Sequence, residues 1–429
     1  MPLTQQEVLA KLAKGHSLKD QEIGDVDFSG YCFKNPVNFS GAIFTGKTVF
    51  NQTRFLQGAN FCDTKFSGKD TTDFSRAEFR GIAHFAGAEF SSKGGTLFSG
   101  AKFAGNAWAN FISAEFSGGT YLADTEFFGG FDATRAKFSG KGGANFTHAK
   151  FKKSVFFSHV KFLNEENIYF NVIEFLNDKD SLVYFDRIEA KNPESIKFID
   201  INLQNTSFYR TDIEKFSFKS VTFRSLGDRE GLIDEDWKKI EEKWNGKIHQ
   251  DYRRNINGND YKDVETLYRQ LKRNFEEKRD YARAGDFHYG EMEMRRKQER
   301  LPYFSLTFLY KWISGYGERW LRALSSLAVA CLIFSSLNLL WIEPKTDGLD
   351  IRGKDLLVSK WYKQPVCVQM GNSLLFTAGV MTLQKDLNFQ VSGQPFGGIV
   401  GRSFLILEYL TGPTLIALML LAIRRRFRR

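Results

Sequence analysis

A chain of 429 residues with 60 Lys plus Arg against 50 Asp plus Glu, net charge +10, argues against both a single compact domain and a disordered polymer. Its four cysteines, Cys32, Cys62, Cys331 and Cys367, form no C-x-x-C pair, which speaks against a disulfide scaffold or a zinc knuckle. Forty-three Phe beside 37 Gly and only 8 Pro is the bias of a repeat.

At the start, Met1 to Gly15 reads as a short amphipathic helix with Thr4 and Glu7 spaced as a capping box. From there phenylalanines recur at Phe28, Phe33, Phe39, Phe44, Phe50, Phe55, Phe61 and Phe66, and the series continues to Phe175 in steps of mostly five or six, with extra residues at some corners. From Phe198 to Phe223 the step is five throughout. A small residue stands two places before many of them, as at Ala42, Ala77, Ala88, Ala101, Ala114, Ala136 and Ala149. That period fits neither the helical 3.6 nor the strand 2.0. It fits a square coil in which each step is one side, the Phe points inward, and the small residue sits where a larger one would clash. Starts at Phe28, Phe50, Phe74, Phe98, Leu122, Phe146 and Phe170 give coils of 22 and then 24 residues, with Gly-rich corners at Lys93 to Gly95 and Lys141 to Gly143.

Units such as Ala88-Glu89-Phe90, Ala101-Lys102-Phe103 and Ala149-Lys150-Phe151 resemble the pentapeptide-repeat family. The resemblance implies a right-handed quadrilateral parallel β-helix, a β-solenoid, over residues 18–226, with residues 1–17 as its N-terminal cap.

At Leu226 the five-residue step ends and helical spacing begins. Residues 227–300 hold 18 basic and 18 acidic side chains and read as a charged α-helical connector. Trp237, Ile240 and Trp244 share one face, and Leu267 to Lys297 is similar to one hairpin of a tetratricopeptide-like repeat.

Residues 301–429 carry 15 basic and 7 acidic side chains together with the long apolar runs, so the positive balance points to a membrane surface before nucleic acid. Two spans are expected, Ala323 to Ile342 without a charge and Ser403 to Ile423 with one. Lys311, Arg319 and Arg322 precede the first, and Arg424, Arg425, Arg426, Arg428 and Arg429 follow the second. This pattern places both termini in the cytoplasm, at the inner membrane of a bacterium-like cell. Between the spans, Asn372 to Leu383 is apolar and too short to cross, as a re-entrant helix would be. The order span, short helix, span resembles the pore domain of two-helix potassium channels. Thr382-Leu383-Gln384-Lys385-Asp386 then lies where the T-x-G-Y-G-D filter would, without either filter glycine, so only the architecture carries over. Thr382, Gln384, Lys385 and Asp386 are thereby pore candidates. Glu408, a carboxylate inside the second span, is the strongest single candidate, and Gly412-Pro413 reads as a hinge or a static kink. Arg402 to Pro413 also resembles the inner helix of channel-like pentapeptide-repeat membrane proteins.

Other apparent motifs carry less. Gly41 to Thr48 spells G-x-x-x-x-G-K-T, yet Phe39, Phe44 and Phe50 keep the coil period straight through it, which leaves no place for the helix that a phosphate loop needs. Six histidines form no H-E-x-x-H, and no serine elbow or partnered cysteine supports an enzyme. No cofactor or metal ligand set is expected.

Three functions compete. The first is a channel-like homo-oligomeric pore, with an ion as its permeant and the solenoid regulating it; the second is a membrane-anchored scaffold whose solenoid binds a cytoplasmic protein. The third, mimicry of DNA toward topoisomerase by soluble members of the family, needs an acidic rod, and residues 1–226 carry 27 basic against 25 acidic side chains. No nucleic acid partner is expected.

Overall fold

The computed structural model describes residues 1–105, 108–175, 182–236, 259–340, 342–344, 357, 360, 363–384, 389–391 and 395–427. The chain divides into two compact units, residues 1–279 with 286–294, and residues 280–285 with 295–429.

The first unit is a parallel β-solenoid of about eight coils. Strands of mostly two residues fall on four faces, and among the described residues the four parallel sheets hold eight, nine, seven and eight strands. Each inward Phe stacks on its counterpart one coil away. On one face Phe66, Phe90, Phe116, Phe138 and Phe162 are in register, with ring centroids 5.0, 4.8, 4.9 and 5.3 Å apart. Their separations in sequence are 24, 26, 22 and 24 residues, so an insertion at one corner is offset at the next and the column stays aligned. Around each coil, rings of neighbouring columns meet edge to face, as Phe85 does with Phe74 and Phe98 at 5.5 and 5.6 Å.

Ala42, Ala77, Ala88, Ala101, Ala114, Ala136 and Ala149 are fully buried, as the square coil requires. Thr53, Thr64 and Thr125 take the same place in other units. Each points its hydroxyl at the carbonyl of Phe28, Phe39 or Phe98 in the adjacent coil, donating at 2.7, 2.8 and 2.9 Å, so a larger polar residue is accepted where a hydrogen bond is available. Glycine-rich corners have a steric cause: a Cβ on Gly140 would lie 2.1 Å from the Gly118 carbonyl oxygen, and Gly95 has φ +87°.

Outward positions pair opposite charges between coils. Lys65 meets Glu89 at 2.9 Å, Lys102 meets Glu126 at 3.4 Å and Lys161 meets Glu189 at 2.6 Å. These pairs are exposed and contribute roughly 0–1 kcal/mol each, so their main effect is on register and net charge.

Both ends of the solenoid are covered. Helix α1, Gln5–Ala13, carries a capping box: the Glu7 amide donates to Thr4 Oγ1 at 3.4 Å, and the Thr4 amide donates to Glu7 Oε2 at 2.8 Å. Its Val8 is fully buried, and the Leu3 amide donates to the Glu22 carbonyl at 2.8 Å. At the far end stands helix α2, Asn259–Glu277, followed by α3, Tyr281–Gln298. Phe275 and Phe287 meet Phe223 at 6.1 and 5.1 Å, which continues the aromatic core into the helices. The Asn274 side-chain amide donates to the carbonyls of Glu214 and Phe216 at 2.7 and 2.8 Å, occupying acceptors that a further coil would have used. Trp237, Ile240 and Trp244 lie outside the described residues.

The second unit is helical. It contains α4, Leu306–Ser314; α5, Trp320–Asn338; α6, Val366–Met381; and α7, Pro395–Phe427. Residues Trp320–Asn338 and Ile399–Arg425 are long and apolar enough to cross a membrane. Their outer faces expose Leu321, Leu324, Val329, Leu332 and Ile333 on α5, and Ile406, Leu407, Leu410, Leu420 and Leu421 on α7.

Candidate functional site

The site lies where α5, α6 and α7 meet. Glu408 of α7 is fully buried, as is Thr377 of α6, while Asn338, the last residue of α5, is 2% exposed. The Asn338 side-chain amide donates at 3.0 Å both to Glu408 Oε2 and to Thr377 Oγ1. The other carboxylate oxygen, Oε1, is buried without a hydrogen-bond partner among the described residues. One turn back on α6, Ser373 is also fully buried and donates to the Ser335 carbonyl at 2.6 Å. Polar groups removed from water and hydrocarbon alike are thus tied across three helices, which fixes how they pack.

One turn beyond Thr377, α6 ends against the same two helices. Met381 reaches Cys331, whose thiol lies 3.2 Å from the Met381 sulfur, and Gly412, where a Cβ would fall 2.6 Å from Met381 Cα. Cys331 and Gly412 stand near the middle of their apolar helices, whereas Asn338 stands at the end of α5. The absence of a side chain at Gly412 is therefore what lets α6 approach α7 here. The helix α7 continues through Pro413, which supplies no N–H to the preceding turn. Thr411 and Thr414 turn their hydroxyls to the carbonyls of Leu407 and Leu410, both at 2.9 Å.

Helix α6 stops at Thr382 in a Schellman turn: the Leu383 amide donates to the Val380 carbonyl at 3.0 Å and the Gln384 amide to that of Gly379 at 2.9 Å. Leu383 occupies the left-handed region at φ +59°, a place normally left to glycine. Thr382 folds its hydroxyl back to the Ala378 carbonyl at 2.8 Å. Lys385 and Asp386 lie outside the described residues. The chain then returns to the end of α5, where Phe389–Val391 pairs antiparallel with Ile342–Pro344. Ile342, Phe376 and Val380 form a small core there, with Phe389 and Leu405 against it.

At the opposite end of the hairpin Arg425 of α7 donates to Glu318 at 2.9 Å and to the Tyr316 carbonyl at 3.2 Å. The start of α5 and the arginine-rich end of α7 thus lie side by side. Of the pore and hinge candidates, Glu408, Gly412 and Pro413 belong to this assembly, and Thr382 and Gln384 form the turn at its inner end. Asn338 and Thr377 were not among the sequence candidates. Asn338 is the single amide side chain in the run Ala323 to Ile342, the signal by which it could have been found.

The Gly41 to Thr48 segment is part of the solenoid. Ile43–Phe44 and Thr48–Val49 are coil strands, no helix follows, and the Lys47 amide donates to Asp25 Oδ1 at 2.6 Å. His148 and His159 occupy exposed corners; burial and then the neighbouring Arg187 and Arg135 push His159 below the ordinary histidine range.

Residues 28–68 match the family model for pentapeptide repeats (9 copies). The chain carries pentapeptide repeats wound into a parallel β-solenoid, followed by two helices long enough to cross a membrane. Neither the curated proteins nor the solved structures contain a match to it.

Proposed function

We propose that this chain is a non-enzymatic, channel-like protein of a bacterial inner membrane, with both termini and the solenoid on the cytoplasmic side. In this reading α5 and α7 span the bilayer, and α6 is a re-entrant helix of a homo-oligomeric pore through which an ion passes. The observation that carries it is the path of α6: Ser373 and Thr377 lie against Ser335 and Asn338 near the end of α5, the helix finishes beside Cys331 and Gly412 halfway along the spans, and the chain turns back to the same end. Two spans cannot enclose a pore, so the function needs several copies around one axis.

The test is the mass of the detergent-solubilised full-length protein, followed by conductance of reconstituted bilayers. A closed ring that conducts supports the reading. A monomer, or a ring that never conducts, sinks it.

A second reading, a membrane-anchored scaffold for a cytoplasmic protein, is favoured by the Glu408 contacts themselves. Asn338 donates to one carboxylate oxygen and to Thr377 within a single subunit, as a structural pin would. Replacement of residues 301–429 by an unrelated anchor separates the two: full activity afterwards supports the scaffold.

A further inference from the structure

A cleft of about 380 Å³ opens between α4 and the first turns of α5, apart from the Glu408 site. Phe308, Lys311 and Trp312 line it from α4, and Arg322, Ser325 and Val329 from α5. We infer that this cleft binds the headgroup of an anionic phospholipid, with an acyl chain running past Val329.

The inference rests on the membrane placement proposed above, and three observations of the second unit carry it further. First, the polarity of the cleft is graded along α5. Arg322 and Ser325 come from its first two turns, beside Lys311, whereas Val329 lies one turn deeper among apolar residues. A phosphodiester needs cations and a hydroxyl at one end and an apolar channel at the other, and this order matches it.

Secondly, α4 has the character of a helix lying in the interface. Leu306, Leu309 and Trp312 are 85%, 50% and 66% exposed, and Tyr303 and Phe304 just before it are exposed too. A nine-residue helix that turns aromatic and aliphatic side chains outward beside a spanning helix places its cations at headgroup level.

Thirdly, Arg322 is open to a ligand. Arg322 is exposed and has no carboxylate partner among the described residues, while Glu318, one turn away, is committed to Arg425 at 2.9 Å. The cleft is also built rather than incidental: Ser326 donates to the Ile313 carbonyl at 3.1 Å and holds α4 against α5. Two cations side by side favour a singly charged phosphodiester over a zwitterionic headgroup, whose own ammonium would meet Arg322 and Lys311.

The experiment titrates short-chain phosphatidylglycerol, short-chain phosphatidylcholine and inorganic phosphate into the detergent-solubilised full-length protein. Wild type is compared with the double variant Lys311→Gln/Arg322→Gln, with Arg322→Lys, and with Arg402→Gln as a control far from the cleft. Saturable binding of phosphatidylglycerol that weakens about 30-fold in the double variant, roughly fivefold per cation, is the expected result. Arg322→Lys should restore most of the affinity, and Arg402→Gln should bind as wild type does.

Equal binding by the double variant and wild type would overturn the inference, as would equal affinity for phosphatidylcholine. Inorganic phosphate binding as tightly as the lipid would reassign the cleft to a free anion. Alkaline carbonate extraction of cell membranes separates this failure from that of the membrane reading. A protein released without detergent refutes the membrane placement itself. Retention with unaltered lipid affinity in the double variant refutes only the cleft.

Discussion

Truncation of Phe85 is the sharpest probe of what holds the solenoid together. Phe85 is fully buried, with Phe61 stacked on one side at 4.9 Å and Phe111 on the other at 4.8 Å. Phe74, Phe79 and Phe98 meet it edge to face at 5.5, 5.9 and 5.6 Å. Phe→Ala in a core costs roughly 3–5 kcal/mol, the upper end applying where the surroundings cannot collapse. Here they cannot, because Phe61 and Phe111 are anchored to strands held at the ladder spacing of about 4.8 Å above and below the gap. Phe85→Ala should therefore cost about 5 kcal/mol. Phe33 has one stacking partner, Phe55 at 5.1 Å, and lies in the first coils, so Phe33→Ala should cost about 3 kcal/mol. Denaturant unfolding of the full-length protein in detergent, followed by the β-sheet signal in circular dichroism, gives both values. A Phe85→Ala cost below that of Phe33→Ala would show that stacking on two sides is not the source of stability.

Gly412→Ala should destabilise the helical unit by about 1–3 kcal/mol, since the new methyl meets the Met381 backbone; thermal unfolding in detergent reads the loss. Asn338→Leu should cost about 1–3 kcal/mol by leaving the Glu408 carboxylate without its donor, whereas Glu408→Gln, which keeps an acceptor for Asn338, should cost less than about 1 kcal/mol in the same assay. Burial disfavours the Glu291 carboxylate, but His288, Lys272 and Arg269 outweigh burial and hold its carboxyl far below the usual range. The unfolded chain binds the proton first, so the stability from this group is complete above the ordinary value of about 4.3 and drains as pH falls below it. Unfolding of wild type and Glu291→Gln from about pH 7 to pH 3 should show a shallower acid loss in the variant.

The solenoid was readable because its period and its burial coincide: each Phe that sets the five-residue step is also a ring in a column. The equivalence of Thr53, Thr64 and Thr125 to the buried alanines was not readable, because it depends on a carbonyl supplied by another coil. The helical cover was hidden for a related reason. Phe223 and Phe287 are 64 residues apart, and nothing local marks α2 and α3 as the end of an aromatic core. Within the site, Glu408 announced itself as a lone carboxylate in an apolar run. Its donor Asn338 lies 70 residues earlier, and an amide in an uncharged stretch attracts less notice than a charge. Gly412 beside Pro413 suggested bending, while the structure gives the glycine a steric reason in the Met381 backbone.

The four aromatic columns make the length of the solenoid a counted quantity. Residues 98–121 are one whole turn of 24 residues, and after their removal Thr96–Leu97, which now pairs with Thr120–Tyr121, would meet Ala144–Asn145, the present partner of Thr120–Tyr121. Cutting or duplicating such a block leaves every inward position over another inward position and moves the two covered ends by one ladder step. Cutting a single residue shifts four faces at once and turns inward phenylalanines toward water. Rods of this kind can therefore grow or shrink between descendants only in whole turns, and the distance from α1 to the helical cover changes in jumps of about 4.8 Å.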